Sequence, residues 1–343
     1  MTTLTRQLQS ISLCTIGAAL GISLGVSGTA FAADHNWTLA YLPVKGTIYY
    51  DIAVAIPDRI KEATDGRLEI TANGSLVKGN RLLEGVRDGL VEMSVPLTGY
   101  YTGTQPLFTV SALPGISESL SDFQKLYSSP YGDMLRELYA DTYNSKELMS
   151  GAFCPQTLFS TKPIQSKQEW EGKRLRVNNR GTGLVGDKLG ALTVSLSAGE
   201  VLPALERGVI DGVMTDTCWA HGAGFYTVVE HASDWRLGSV VGFPVLVNRD
   251  AWSELPEDLR VVVEAEFREI EADFFRRWEE LVAQMPSRWE AEGVEYHRVS
   301  DEEMTKVYDP EILKPVFENW YADARNAGLD PEHIEQVARD AVK

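Results

Sequence analysis

The chain has 343 residues and a formal net charge of −17, with five histidines and three cysteines. A surface this acidic argues against nucleic acid and against an anionic membrane as partners. No zinc-type spacing, C-x-x-C or H-E-x-x-H occurs, and His35, His221, His231, His297 and His333 are scattered.

In chain order, Arg6 leads into a Gly/Ala-rich apolar run from Ile11 to Val26, closed by Ala30-Phe31-Ala32. This is the pattern of a secretory leader with an A-x-A cleavage site. Residues 1–33 are therefore expected to be a signal peptide, with the mature chain starting near Ala33 or Asp34. Cys14 has no lipobox around it, so no lipid anchor is expected. The run is too short and too interrupted to stay as a spanning helix. The remaining ~310 residues suit two domains of about 150 residues each. Export removes the protein from the cytoplasmic nucleotide pool, and no cofactor is expected. Cys154 and Cys218 remain; in an exported chain they could form one disulfide, which their spacing does not decide, and the preferred reading is two buried, unpaired thiols.

Trp37–Leu42 reads as a strand, followed by the loop Lys45-Gly-Thr47 and a helix to about Thr64. Arg67–Ala72 is a second strand, Ser121–Leu138 a helix, and Ser150–Phe159 a strand crossing between lobes. Lys173–Val177, Thr193–Leu196 and Val209–Met214 build a second sheet, and Val240–Val247 returns. After Leu255-Pro256-Glu-Asp an amphipathic pattern runs about 30 residues to Gln284. At ~1.5 Å per residue that helix is longer than one lobe is wide. Pro310–Trp320 and Pro331–Val342 supply terminal helices.

Two segments share a grammar. Leu83–Met93 and Ala204–Val213 each end an amphipathic helix with a glycine (Gly89, Gly208), then two apolar residues, then an acid (Glu92, Asp211). Glycine after a helix accepts the left-handed turn that stops it. Each strand that follows runs into a polar and aromatic segment, Thr98-Gly-Tyr-Tyr101 or Thr215-Asp-Thr-Cys-Trp219. Ligands of open α/β sheets sit beyond the carboxyl ends of strands, so two such units imply two similar lobes facing one cleft.

Gly181-Thr-Gly-Leu-Val-Gly186 matches G-x-G-x-x-G, with Glu200 downstream. A dinucleotide site would need an acid/base set beside it, and none accompanies the loop. The glycines are read as packing residues. Glu200 is read as an acid at a helix start.

Phe159-Ser-Thr-Lys-Pro-Ile164, Glu171-Gly-Lys-Arg-Leu-Arg-Val177, Leu189-Gly-Ala191 and Gly199-Glu-Val-Leu-Pro-Ala-Leu-Glu-Arg-Gly-Val-Ile-Asp-Gly212 carry a resemblance. So do Thr64-Asp-Gly-Arg-Leu-Glu-Ile70, Gly74-Ser-Leu76 and Glu254-Leu-Pro-Glu-Asp-Leu259. Together they resemble the extracytoplasmic solute-binding proteins of tripartite ATP-independent periplasmic (TRAP) transporters, of the DctP type, across nearly the whole mature chain. The resemblance implies an α/β, two-lobed periplasmic binding protein fold, with crossing hinge strands and a long helix spanning both lobes. Lobe I would take residues 34–153 plus 243–285. Lobe II would take 154–242 plus 286–343 with the C-terminal helices. It implies no enzyme, a small organic-acid ligand, TRAP membrane subunits as partners, and a homodimer through the last helix as an open question.

By resemblance, the ligand carboxylate falls to Arg176, whose planar guanidinium gives two parallel N–H bonds. Arg174 alternates with it, and spacing alone does not separate the two. Where the sialic-acid branch has a second arginine, this chain has Gln156, so a further cation would have to come from Lys45 or Arg180. Where that branch has an asparagine, this chain has Thr215-Asp216. Gln156, Asp216 and Trp219 resemble the set that surrounds a metal in the 2-oxo-acid branch; whether a metal binds is left open. Trp219, Phe243 and Tyr100 are candidate walls, and Thr98 and Asn178 candidate hydroxyl or amide readers. The rivals are an exported two-lobed enzyme acting on an organic acid, for which no nucleophile–base set is found, and an NAD-linked oxidoreductase. Composition leaves the ligand open among uronates, 2-oxo or hydroxy acids, aromatic acids and sulfonates.

Overall fold

The structure is a computed structural model that describes residues 33–178, 180–196, 198–237 and 241–343. The expected leader, with Arg6 and Cys14, lies outside the described residues.

Chain order begins with β1 (His35–Tyr41), α1 (Ile48–Ala63), β2 (Leu68–Asn73), α2 (Leu82–Arg87) and β3 (Met93–Val95). Thr47 caps α1, its hydroxyl accepting from Tyr50 N–H, which makes Lys45-Gly-Thr47 a loop-to-helix junction. Gly89 after α2 has φ +67°, the left-handed stop that its position predicts. Two 3₁₀ segments, Thr98–Tyr101 and Pro106–Ala112, then lead to α3 (Leu120–Tyr127) and α4 (Pro130–Tyr143). The one helix expected over Ser121–Leu138 is thus two. Pro130 has no N–H to continue a helix and starts a new one, with Ser129 as its cap.

Next come β4 (Ser145–Ala152), β5 (Gln156–Ser160), β6 (Arg174–Val177), α5 (Arg180–Lys188), β7 (Leu192–Ser195), α6 (Ala198–Glu206) and β8 (Gly212–Asp216). The expected crossing strand Ser150–Phe159 is therefore two strands, parted at Phe153-Cys154-Pro155. The expected strand from Val209 starts three residues late, because Gly208 (φ +63°) is still turning the chain and Val209 stays exposed. Then follow α7 (Thr217–Gly222), β9 (His231–Asp234), β10 (Gly242–Asn248), α8 (Arg249–Glu254), α9 (Glu257–Ala291), β11 (Glu295–Arg298), α10 (Asp301–Val307), α11 (Pro310–Asn326) and α12 (Pro331–Val342).

Two sheets form. The first has order β2-β1-β3-β10-β4 and the second β11-β9-β5-β8-β6-β7. The chain passes between them three times, by extended segments from β4 to β5 and from β9 to β10, and through α8 and α9 from β10 to β11. The two extended passages touch: Phe153 N–H donates to Val241 O at 2.8 Å. Helix α9 has 35 residues, about 50 Å of length. It buries Leu259, Val263, Phe267, Ile270, Phe274 and Trp278 at three- and four-residue spacing, then Met285 and Trp289. Its first half packs on α1 and β4 and its end on α7 and β11, so it braces both sheets. Glu271 receives Ser150 N–H on the first sheet, and Trp289 Nε1–H donates to Thr217 on the second. Helix α11 packs against α5, and α12 against α3 and α4.

The six-residue glycine motif lies inside α5. A Cβ at Gly186 would come within 2.7 Å of Thr193 on β7. The glycines let α5 sit close on its sheet, a packing role.

Candidate functional site

Where the two sheets face each other, a cavity of about 120 Å³ opens. That is room for several waters, hence for a small organic molecule and not a polymer. Tyr100, Gln156, Arg176, Asn178, Thr215, Asp216 and Trp219 line it. The alternating pleat explains part of this: Gln156 on β5 lies opposite Asp216 on β8, and β6 brings Arg176 alongside Val213.

Arg176 is 7% exposed. Its Nε and Nη2 both donate to Leu196 O, at 3.1 and 3.0 Å. This aims the fork and leaves three of its five N–H groups for a guest. Among the described residues no carboxylate pairs with it. Burial pushes its pKa below the ordinary arginine value, Tyr100 acting in the opposite sense; arginine nonetheless stays charged. Arg174, two residues earlier, is exposed and bidentate to Asp211, at 2.6 and 3.0 Å. One arginine is satisfied by the fold and the other is not.

Asp216 caps α7, its Oδ1 accepting from Trp219 N–H at 2.6 Å. Burial pushes its carboxyl up to about 7, against the backbone N–H groups of Trp219, Cys154 and Cys218, which lower it. Gln156 Oε1 accepts from Asn178 Nδ2 at 2.9 Å, and its amide N–H groups make no hydrogen bond among the described residues. Thr215 Oγ1 has no partner among the described residues.

Three expected residues lie off the cavity. Phe243 is fully buried in an aromatic cluster with Tyr49, Phe153 and Phe274. Thr98 is buried and donates to Gly242 O at 2.6 Å. Lys45 is exposed, while its neighbours Val44 and Thr47 line the cavity. Arg180 is also outside it, ion-paired with Asp323. Sequence reasoning missed Val44, Leu97, Phe108, Phe153 and Val241, all on the wall. The loop position after a strand end was the available signal for Val44 and Leu97; Phe108 had none.

The thiol reading is corrected. Cys154 and Cys218 form a disulfide, with Cα atoms 5.8 Å apart. The antiparallel register that sets Gln156 against Asp216 continues outward to set these two opposite each other. It bears on metal binding: Cys154, Asp216 and Cys218 are the one group of metal-type ligands gathered among the described residues, and the sulfurs are already bonded to each other. Gln156 Oε1 and Asp216 Oδ1 are both taken as acceptors, so the proposed Gln156–Asp216–Trp219 set presents few free oxygens to a cation.

One contact closes the cavity rim. Gly46, before α1, meets Gly222, at the end of α7, backbone to backbone. A Cβ on Gly222 would stand 2.6 Å from Gly46 O.

Comparison with known proteins agrees with this architecture. The DctP family, described as bacterial extracellular solute-binding protein family 7, matches residues 40–323. A monocarboxylate 2-oxoacid-binding periplasmic protein of Nostoc is 28% identical over 74% of this chain and 70% of its own. A solute-binding protein of Roseobacter denitrificans is 26% identical over 71% of this chain and 75% of its own. An extracytoplasmic solute receptor of Bordetella pertussis that binds pyroglutamic acid superposes with a TM-score of 0.78, covering 90% of this chain and 99% of that one at 20% identity. The chain belongs to the DctP family of bacterial extracellular solute-binding proteins.

Proposed function

We propose that the protein captures a small organic carboxylate in this cavity through Arg176 and hands it to the membrane subunits of a TRAP transporter. The observation that carries the reading is the buried guanidinium with no protein counter-ion. A desolvated charge left unpaired costs several kcal/mol, and a ligand carboxylate supplies the missing partner in the two-pronged geometry that Arg favours. Gln156, Thr215 and Tyr100 would orient the head group, and Trp219 would cover it. The two extended inter-sheet passages act as hinge, so that ligand selects the closed arrangement.

The relatives support a carboxylate, since 2-oxoacids and pyroglutamic acid both offer one. Calorimetry with an organic-acid panel on the native protein and on Arg176→Ala tests the reading. The variant should keep its circular dichroism spectrum and lose binding; unchanged affinity removes Arg176 from the site.

A further inference from the structure

The cavity has chemistry at one end only. Arg176, Gln156, Thr215 and Asp216 cluster where β5, β6 and β8 run side by side. Beyond them the wall is mostly apolar, with Val44, Leu97, Phe108, Phe153, Trp219 and Val241, and carries the Tyr100 phenol and the Asn178 amide at the edge of the polar cluster. The threonine hydroxyls interspersed there are already used by the backbone. Thr47 donates to Val44 O and accepts from Tyr50 N–H, and Thr102 donates to Gly99 O.

We infer that the ligand is a monocarboxylate with one polar substituent beside its carboxyl group and a compact aliphatic or ring body beyond. This rests on the carboxylate-receptor reading above and narrows it.

Charge excludes a second carboxylate. Among the described lining residues Arg176 is the one cation, because Lys45 is exposed beyond the rim and Arg180 pairs with Asp323. The other ionisable acid or base group in the lining, apart from the Tyr100 phenol, is Asp216. A second carboxylate would be buried with no positive partner and with a fixed acid in the same hollow. Hydrogen-bond supply excludes a polyhydroxylated chain. Hydroxyls against the apolar wall would give up water without finding partners there. One hydroxyl, oxo or amide group next to the carboxylate is served by Gln156 Nε2 and Thr215 Oγ1. The body then replaces water along Phe153, Trp219 and Leu97, where apolar contact gains most.

The experiment is a titration of the native protein, by thermal shift and calorimetry, with three sets of similar size. They are 2-oxo- and 2-hydroxyisocaproate, pyroglutamate and mandelate; succinate, malate and 2-oxoglutarate; and gluconate and galactonate. Members of the first set should bind at least tenfold tighter than every member of the other two. A dicarboxylate or sugar acid binding as tightly as the best monocarboxylate overturns the inference while leaving the receptor reading standing. Silence from all three sets overturns both. Leu97→Asn sharpens the result: it should weaken the monocarboxylates at least threefold, with Arg176 untouched, and an unchanged affinity would show that no apolar body lies on that wall.

Discussion

The two halves of the cavity are built on opposite principles. The wall from the second sheet carries the charge: Arg176 on β6, Gln156 on β5, and Thr215 and Asp216 on β8, all on regular strands braced by backbone pairing. The wall from the first sheet comes from the ends of its strands, Val44 to Thr47 after β1 and Leu97 to Thr102 after β3, and apart from the Tyr100 phenol it is apolar or already hydrogen-bonded to itself. Rigid strands hold the groups that need directional precision, and loops supply cover. The division assigns head-group recognition to one half and closure to the other.

Variants on each side separate these duties. The largest effect belongs to Arg176→Ala, a loss of about 2–5 kcal/mol of binding, by analogy with truncated buried charges. It should come with no change in unfolding midpoint of the ligand-free protein beyond about 1 kcal/mol. Next is the Cys154–Cys218 disulfide behind the same wall. Replacing both cysteines by serine releases a long loop and should cost about 2–4 kcal/mol in chemical denaturation. Third is Gly222→Ala, where the end of α7 meets the loop before α1. Alanine suits a helix end, but its Cβ would meet Gly46 O across the rim. Affinity should fall by about 1–3 kcal/mol, as for overpacked contacts, with the ligand-free fold unharmed. Small-angle scattering should show the variant staying open with ligand present; normal closure and affinity would remove the glycine contact from the mechanism.

Much of this was legible in the chain. Helix–glycine–strand punctuation at Gly89 and Gly208 placed two sheets with their strand ends toward one cleft, because a left-handed turn after a helix has few other solutions. Side-chain destinations were less legible. Arg174 and Arg176 have the same strand spacing, and what separates them is Asp211, which reaches Arg174 from the turn before β8. The disulfide depends on the β5–β8 register, a fact of pairing that no local pattern encodes. Strands β9 and β11 are four residues each, too short for alternation to show. Phe243 followed an aromatic signal into the core, since an aromatic on a fully buried strand looks the same whichever side the cleft lies.

The smallest predicted effect tests the charged wall most directly. Burial holds the Asp216 carboxyl near 7, well above its value in an unfolded chain, so its charge appears within the range in which such receptors work. The ligand carboxylate is ionised throughout that range, and Arg176 stays protonated. Tyr100, the other titratable group on the wall, sits above its ordinary value through burial. Below pH 6 Asp216 is neutral and the guest meets only the guanidinium. As pH rises through 7 the acid ionises in the same hollow and opposes the anion. If bound ligand raises the Asp216 pKa by about one unit, affinity falls about fivefold between pH 6 and pH 8 and approaches a tenfold loss only above that range. Asp216→Asn retains an N-cap for α7 and should flatten the profile at the tighter, acid-side level. A profile that rises with pH, or one that the asparagine leaves unaltered, would mean that Asp216 faces the helix and not the guest.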